Sequence, residues 1–234
     1  MATFLLVHGA WLGGWCYKRV ARLLRGAGHD VYTPTLTGLG ERAHLLSPSI
    51  SLKTHIADVL GVIQWEELSD IVLCGHSYAG TVISGVAEKA VDRIGALVFI
   101  DAFVPEDGQS HMAAFPPEYV QLLCEDARQN GDGYLLTPPT ADGVNLNAAD
   151  VTWVKAMCSK HPLACFEERV ALSGARERVA RRSYVAATGW AAPFETFAKR
   201  FEQDPAWQVK RIACGHLMML DRPQELADIL LRSA

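Results

Sequence analysis

The stretch DIVLCGHSYAG, residues 70–80, decides the fold of this chain. An apolar run leads up to Ser77, and a segment rich in small residues follows it. This pattern predicts a buried strand at 70–75, a tight turn at the serine and a helix over 77–90. A nucleophile at such a turn lies at the positive end of the helix with its oxygen exposed. The motif is close to G-x-S-x-G, with the small residue Ala79 at the second glycine position.

Strand and helix patterns alternate on both sides of this stretch. Further apolar strands are predicted at 3–8, from residue 30, and at 96–101, 182–187 and 207–213. Further helices are predicted at about 15–26, 51–68, 194–203 and 223–231. Near-continuous apolar strands that alternate with helices indicate the α/β class, with a mostly parallel sheet and helices on both of its faces.

The regular alternation of strand and helix patterns stops after residue 104. From there to about residue 180, Pro- and Gly-containing segments such as PEDGQ, FPPEY and TPPTADG interrupt short helical stretches. Long insertions in α/β proteins commonly occupy loops at one end of the sheet. We therefore expect a single domain over 1–234, with a core of about 1–104 and 181–234 and an inserted, mainly helical cap at about 105–180.

Composition and charge exclude several classes of protein. The net charge is −4 and the basic residues are scattered, so a nucleic-acid partner is not expected. The apolar start, MATFLLVHGA, has no preceding basic residue and continues into a Gly-containing loop, and no run is long enough to span a bilayer. We expect a cytoplasmic protein that binds no membrane. The oligomeric state stays open, with a homodimer as one option.

Cysteine spacing and loop motifs argue against a metal or a cofactor. None of the six cysteines lies in a CxxC pair or in a Cys/His cluster with metal spacing. We expect free thiols, although a disulfide between Cys158 and Cys165 stays open. The chain has neither a G-x-G-x-x-G after a strand nor a G-K-[ST] phosphate loop, so no nucleotide cofactor is expected.

Two further segments carry chemistry. HGAW at 8–11 follows the first strand, where the N–H of Ala10 and that of Tyr78, after the nucleophile, would hold an oxyanion. His8 is interpreted as a buried histidine that shapes this loop. CGHL at 214–217 follows the last strand, and its His216 is the candidate base, because the chain order of serine first and histidine last fits a catalytic triad on this type of sheet.

Four segments together resemble one known family. HGAWLGGW, TGLGER, GHSYAG and GHLMMLDRPQELA are similar to the small esterase and hydroxynitrile lyase branch of the α/β-hydrolase superfamily, which includes plant methyl esterases. The resemblance spans essentially the whole chain. It implies the α/β-hydrolase fold, no cofactor, and a cap over a mostly apolar pocket for a small-molecule ester.

The chain departs from this family at the acid of the triad. Relatives place an aspartate shortly after the strand that follows the cap, where this chain has Trp190. Asp101 is the preferred substitute, because it ends the strand after the nucleophile helix, and its neighbourhood, FIDAFVP, resembles haloalkane dehalogenases that take their acid there. Glu195 reaching back is the alternative acid. A dyad with water, or no acid, also stays open.

The predicted function is that of a carboxylesterase-type serine hydrolase acting through an acyl-enzyme intermediate on small, largely apolar esters. Candidate pocket residues are Trp11, His76, Tyr119, Trp153 and Leu217.

Two alternatives accompany this prediction. A hydroxynitrile lyase is one, although plant lyases of this branch have a lysine where this chain has Leu217. A catalytically weakened ligand receptor on the same fold is the other, suggested by Trp190.

Overall fold

A computed structural model describes residues 1–140, 146–190 and 193–234 of the chain. Its strands are β1 (Thr3–Val7), β2 (Asp30–Tyr32), β3 (Ile71–His76), β4 (Ile94–Ile100), β5 (Leu135–Leu136), β6 (His161–Pro162), β7 (Arg181–Ala187) and β8 (Trp207–Ile212). Six of them form a parallel sheet in the order β2-β1-β3-β4-β7-β8. This sheet confirms the predicted α/β class.

The described helices flank the sheet or belong to the segment between β4 and β7. They are α1 (Lys18–Gly26), α2 (Leu52–Trp65), α3 (Ala79–Ala90), α4 (Pro117–Asn130), α5 (Ala148–Met157), α6 (Ala164–Glu167), α7 (Glu195–Glu202), α8 (Met218–Asp221) and α9 (Pro223–Ser233). None of these described helices is long and apolar enough to cross a membrane.

Apolar side chains fill both faces of the sheet, because successive residues of a strand point to opposite faces. In β1, Leu5 and Val7 join the apolar cluster that includes α2 and α3. Phe4 and Leu6 join the cluster on the other face, with α1 and α9. A sheet covered on both sides keeps its strands rigid, so the residues at their carboxyl ends are held in fixed positions.

The segment between β4 and β7 packs onto the same core. It contains α4, α5 and α6, together with β5 and β6, a short antiparallel pair that the sequence did not predict. The fully buried Phe166 of this segment belongs to the same apolar cluster as Tyr78. Residues 141–145, which fall within the predicted cap, lie outside the described residues.

Several predicted boundaries are shifted by backbone turns. The helix predicted over 51–68 ends at Trp65, and Glu67 then adopts a left-handed φ of 52°. The strand predicted at 96–101 spans Ile94–Ile100, because Asp101 leaves the extended conformation with a φ of 42°. This last turn places Asp101 directly after the carboxyl end of β4.

Candidate active site

Ser77 occupies a strained turn between β3 and α3. Its φ is 56°, a left-handed value that non-glycine residues seldom adopt. A Cβ at Gly80 would lie 2.0 Å from the carbonyl oxygen of Phe103, and one at Gly75 would lie 2.7 Å from that of Ala79. The backbone segments around the serine therefore pass so close together that side chains larger than glycine are excluded at these two positions.

His216 and Asp101 form a hydrogen-bonded pair at the same end of the sheet. The distance from His216 Nδ1 to Asp101 Oδ2 is 2.7 Å, and the Asp101 carboxylate is buried. Asp101 directly follows β4, whereas His216 follows β8 on the loop before α8. Because an ionised carboxylate only accepts hydrogen bonds, Nδ1 carries the proton and Nε2 is left as the basic nitrogen.

Trp190 contacts the Asp101 carboxylate directly. Its indole Nε1–H donates to Oδ2 at 2.9 Å, and the backbone N–H of Ala187 donates to Oδ1 at 3.2 Å. Trp190, which stands where the family usually has its aspartate, therefore donates a hydrogen bond to Asp101, a carboxylate that follows a different strand, β4. Glu195, the alternative acid, lies elsewhere and pairs with Arg211 at 2.9 Å.

One cavity of about 90 Å³ joins Ser77 and His216. Its other described lining residues are Ala10, Trp11, Leu12, His76, Pro139, Thr140, Val154, Cys158 and Leu217. The predicted oxyanion residue Ala10 and the predicted pocket residues Trp11, His76 and Leu217 are thus brought together with the serine and the histidine. The walls are mostly apolar.

Two predicted pocket residues lie away from this cavity. Tyr119 is partly exposed on α4 and contacts the ring of Phe115 at 5.1 Å. Trp153 is on α5, but its ring packs against Trp15 at a centroid distance of 4.9 Å.

Val154 and Cys158 line the cavity from the α5 segment in place of Trp153. Val154 is on α5, and Cys158 directly follows the helix with its N–H bonded to the Val154 carbonyl at 2.9 Å, so the two lie next to each other, whereas Trp153 points to another side of the helix. The helical period of this segment could have indicated them, but the sequence does not show which face meets the cavity.

His8 fixes the orientation of the loop that carries Ala10. Its Nε2 accepts the backbone N–H of Leu36 at 3.0 Å, so its Nδ1 carries a proton and donates to the carbonyl of Gly9 at 2.8 Å. Burial lowers the pKa of His8 to about 4, which keeps the ring neutral. In a trans peptide the Gly9 carbonyl and the Ala10 N–H point in opposite directions, so this hydrogen bond sets the direction of the Ala10 N–H.

The side chain of Tyr78 anchors the peptide that follows Ser77. His55 Nε2 lies 3.0 Å from the carbonyl oxygen of Thr37 and donates to it, so His55 Nδ1 accepts the Tyr78 hydroxyl at 3.0 Å. The Tyr78 ring stacks on Phe166 and is fully buried. The N–H of Tyr78 is thereby held at the start of α3, next to Ser77.

His76 braces the loop of His216. Burial and the neighbouring His216 lower the pKa of His76 well below its usual value, so the ring is neutral. Its Nε2–H donates to the carbonyl oxygen of His216 at 2.9 Å. The two rings lie 4.4 Å apart. The residue before Ser77 therefore holds the backbone of His216.

A group of potential metal ligands lies beside Tyr78. Within the described parts of the chain, His55, His161 and Cys165 bring ligand atoms within 4.8 Å of one another. Both ring nitrogens of His55 are already hydrogen-bonded, to Tyr78 and to Thr37. These two hydrogen bonds explain why His55 lies here: it supports the side chain of Tyr78. Cys158 and Cys165, whose pairing the sequence left open, are both free thiols.

Comparison with known proteins supports the sequence resemblance. The model of the alpha/beta hydrolase family matches residues 4–229. The chain is 47% identical over 239 residues to a carbendazim hydrolyzing esterase from Nocardioides sp. (strain SG-4G), with 98% of each chain covered. It is also 33% identical to methylesterase 8 from Arabidopsis thaliana over 109 residues, which cover 46% of this chain and 40% of the relative.

A solved structure shares the whole architecture. An extracellular alpha/beta-hydrolase from a Paenibacillus species superposes with a TM-score of 0.88 at 25% identity, and the match covers 100% of this chain and 99% of the other. The family, the fold and the similarity to esterases confirm the predicted resemblance and the prediction of a carboxylesterase-type enzyme. The chain therefore belongs to the alpha/beta hydrolase family.

Proposed function

We propose that this chain is a serine carboxylesterase that cleaves esters of small, largely apolar substrates through an acyl-enzyme intermediate. The observation that carries the proposal is the pairing of the buried Asp101 carboxylate with His216, which lines the same cavity as Ser77. A base whose protonated form faces a buried carboxylate, next to a hydroxyl on a strained turn, is the arrangement that acyl transfer requires.

The reaction proceeds in two halves. Ser77 Oγ attacks the ester carbonyl carbon, and His216 Nε2 takes the hydroxyl proton as the Oγ–C bond forms. The C–O bond to the alcohol then breaks, and His216 returns the proton to the departing alkoxide. Water attacks the acyl-enzyme by the same route, regenerates the serine hydroxyl and releases the acid. Asp101 stabilises the imidazolium in both halves.

The developing oxyanion is assigned to the backbone N–H groups of Ala10 and Tyr78. Negative charge appears on the carbonyl oxygen only during attack, so donors that are already oriented lower the barrier without reorganisation. His8 orients the Gly9–Ala10 peptide, and His55 anchors Tyr78. Both supports are neutral and buried, which suits a rigid pair of donors.

The cavity favours small, uncharged substrates. Its described walls carry no Lys, Arg, Asp or Glu. A single water needs about 10–15 Å³ by the same measure, so about 90 Å³ has room for a short acyl or alkoxy group. The similarity to a carbendazim hydrolyzing esterase makes carbendazim a second test substrate.

The two alternative functions have less support. Leu217 is buried and lines the cavity, so the position that a lysine takes in plant hydroxynitrile lyases provides no positive charge for cyanide here. The receptor hypothesis depends on the absence of a triad acid, because Trp190 stands where the family has its aspartate. His216 has a carboxylate partner, Asp101, at 2.7 Å, so this ground for the hypothesis is lost.

The experiment compares wild-type protein, Ser77→Ala and Ser84→Ala with p-nitrophenyl acetate and with carbendazim. Ser84 is a matched control, because it is buried on α3 and its hydroxyl donates to the carbonyl of Gly80, away from the cavity. We expect turnover and a burst of p-nitrophenol in wild type and Ser84→Ala, and neither in Ser77→Ala. Turnover that survives in Ser77→Ala, or no turnover in any protein, contradicts the proposal.

A further inference from the structure

We infer that Trp190 is a positioning residue that holds the Asp101 carboxylate and the His216 imidazole in their reactive arrangement. This inference rests on the proposed function, because it assigns Trp190 to the acid and base of that reaction. It goes beyond it by giving a role to the residue at which this chain departs from its family.

The first support is the way the carboxylate is shared. Trp190 Nε1–H and His216 Nδ1–H donate to the same oxygen, Oδ2, at 2.9 and 2.7 Å. The backbone N–H of Ala187 donates to Oδ1 at 3.2 Å. Three hydrogen bonds shared over its two oxygens hold a buried carboxylate in place. Two of the three donors are side chains, and of these only Trp190 takes no part in the proposed proton transfer.

The second support is the contact between the rings. The indole of Trp190 lies 4.5 Å from the imidazole of His216, at an interplanar angle of 40°. Trp190 therefore contacts the acid through its N–H and the base through its ring.

The chemistry of the indole suits this task. Its N–H is a donor only and does not ionise near neutral pH, so it supports the ionised form of Asp101 without competing for the proton. The indole and imidazole N–H groups divide the charge of one oxygen between them. Without the indole, that oxygen would be a stronger acceptor for His216 and would stabilise the imidazolium before the reaction begins.

These relations predict a specific signature for Trp190→Phe, which keeps an aromatic ring and removes the N–H. We expect kcat for p-nitrophenyl acetate to fall about 10- to 100-fold, because small misalignments of reacting groups have effects of that size. KM should stay within about twofold, since Trp190 is not among the described residues that line the cavity. The acid limb of the pH profile of kcat/KM should move to higher pH.

A matched control separates positioning from packing. Trp207→Phe also shortens a partly buried tryptophan, but Trp207 begins β8 and stacks on Phe201 with ring centroids 3.9 Å apart, and it is not one of the three donors to the Asp101 carboxylate. Active-site titration with a fluorophosphonate counts the competent Ser77 in each variant. We expect Trp207→Phe to retain the kcat and the pH profile of wild type, and Trp190→Phe to retain its titratable serine.

A double-mutant cycle and a spectroscopic titration complete the test. In the Asp101→Asn background, adding Trp190→Phe should lower kcat by less than threefold, because the shared carboxylate is already gone. NMR of labelled histidine should show the His216 ring gaining its proton at a higher pH in Trp190→Phe than in wild type. This second readout does not depend on turnover, so it tests the inference even if Ser77→Ala shows the proposed function to be wrong. An unchanged NMR titration, or equal losses in both backgrounds, overturns the role of Trp190.

Discussion

Asp101 and His216 are joined by a hydrogen bond of 2.7 Å, although 115 residues separate them along the chain. The strands that carry them are not neighbours in the sheet, since β7 lies between β4 and β8. The left-handed turn at Asp101 and the loop after β8 bring the two side chains together. This relationship is the basis of the first prediction.

Replacing Asp101 by Asn should lower kcat by about 10³- to 10⁴-fold, because the imidazole loses the carboxylate that fixes its tautomer and stabilises its charged form. Glu195→Gln is the matched control, since Glu195 pairs with Arg211 at the surface. It should lower kcat by less than twofold. Steady-state kinetics with p-nitrophenyl acetate measure both. A larger loss in Glu195→Gln than in Asp101→Asn would show that the acid is misassigned.

Replacing His8 by Asn should lower kcat by about 10- to 100-fold, because the Gly9 carbonyl loses its donor and the Ala10 N–H is no longer aimed at the oxyanion. KM should change little. His44→Ala is the control, since His44 is exposed and its ring nitrogen Nδ1 lies 3.3 Å from the carbonyl oxygen of Glu41. Unchanged kcat in His8→Asn would mean that the loop is oriented by other contacts.

Two identical substitutions should have opposite effects on stability. In Gly9→Ala, the new Cβ would lie 2.7 Å from His76 Nδ1 and 3.0 Å from Ser77 Cβ, so the loop must move away from the nucleophile. We expect the free energy of unfolding to fall by about 1–3 kcal/mol. Most of the activity should be lost as well. In Gly61→Ala, in the interior of α2, the new Cβ would meet no atom within 4 Å beyond its chain neighbours and the adjacent helix backbone, so the free energy of unfolding should rise by about 0.5–1 kcal/mol.

Urea unfolding of wild type, Gly9→Ala and Gly61→Ala measures both changes. A Gly9→Ala protein with full activity and stability would contradict the close approach of the loop to Ser77.

Buried histidines should make the protein sensitive to acid. Burial lowers the pKa of His8 and His55 to about 4 and that of His111 to about 3, and lowers those of His76 and His161 well below the usual value. Between the unfolded pKa near 6.5 and these folded values, the unfolded chain binds more protons. Stability is therefore fully present above about pH 6.5 and falls as the pH drops below it.

The slope of that dependence is measurable. Each such histidine contributes up to about 1.4 kcal/mol of unfolding free energy per pH unit in this window. Urea unfolding between pH 7.5 and 5 should show that more than one proton is taken up on unfolding, from the slope of the unfolding free energy against pH. A free energy of unfolding that is flat over this range would contradict the neutral, buried state of the five rings.

The size of the cavity predicts a preference for short esters. About 90 Å³ between Trp11, Val154 and Leu217 leaves room for a few carbon atoms. We expect kcat/KM to be at least about tenfold higher for p-nitrophenyl acetate or butyrate than for the decanoate. Val154→Ala should reduce this ratio by widening one wall. A preference for the decanoate in wild type would show that a larger pocket opens in solution.

Much of the candidate site was predictable from local sequence. The motif around Ser77, the loop before Ala10 and the loop of His216 each combine a strand end with small residues, and such combinations depend on short-range chemistry. The parallel sheet was predictable for the same reason, since apolar strands that alternate with helices have few other ways to bury both faces.

Other residues depended on long-range geometry. Val154 and Cys158 line the cavity instead of Trp153, because the rotation of α5 about its axis is set by packing against Trp15 and its neighbours. The role of His55 under Tyr78 was missed as well. Its hydrogen bonds to Tyr78 and Thr37 join segments that carry no common sequence signal.

The sequence by itself determined which residues are able to act as nucleophile, base and acid, since hydroxyl, imidazole and carboxylate chemistry belongs to the side chains. Only the tertiary structure decided that Asp101 faces His216 and that Glu195 faces Arg211. The sequence alone suggested that Trp190 replaces the acid, whereas in the structure Trp190 donates a hydrogen bond to Asp101. The physical reason is that a hydrogen bond depends on distance and direction, which the folded sheet fixes and the order of residues along the chain does not.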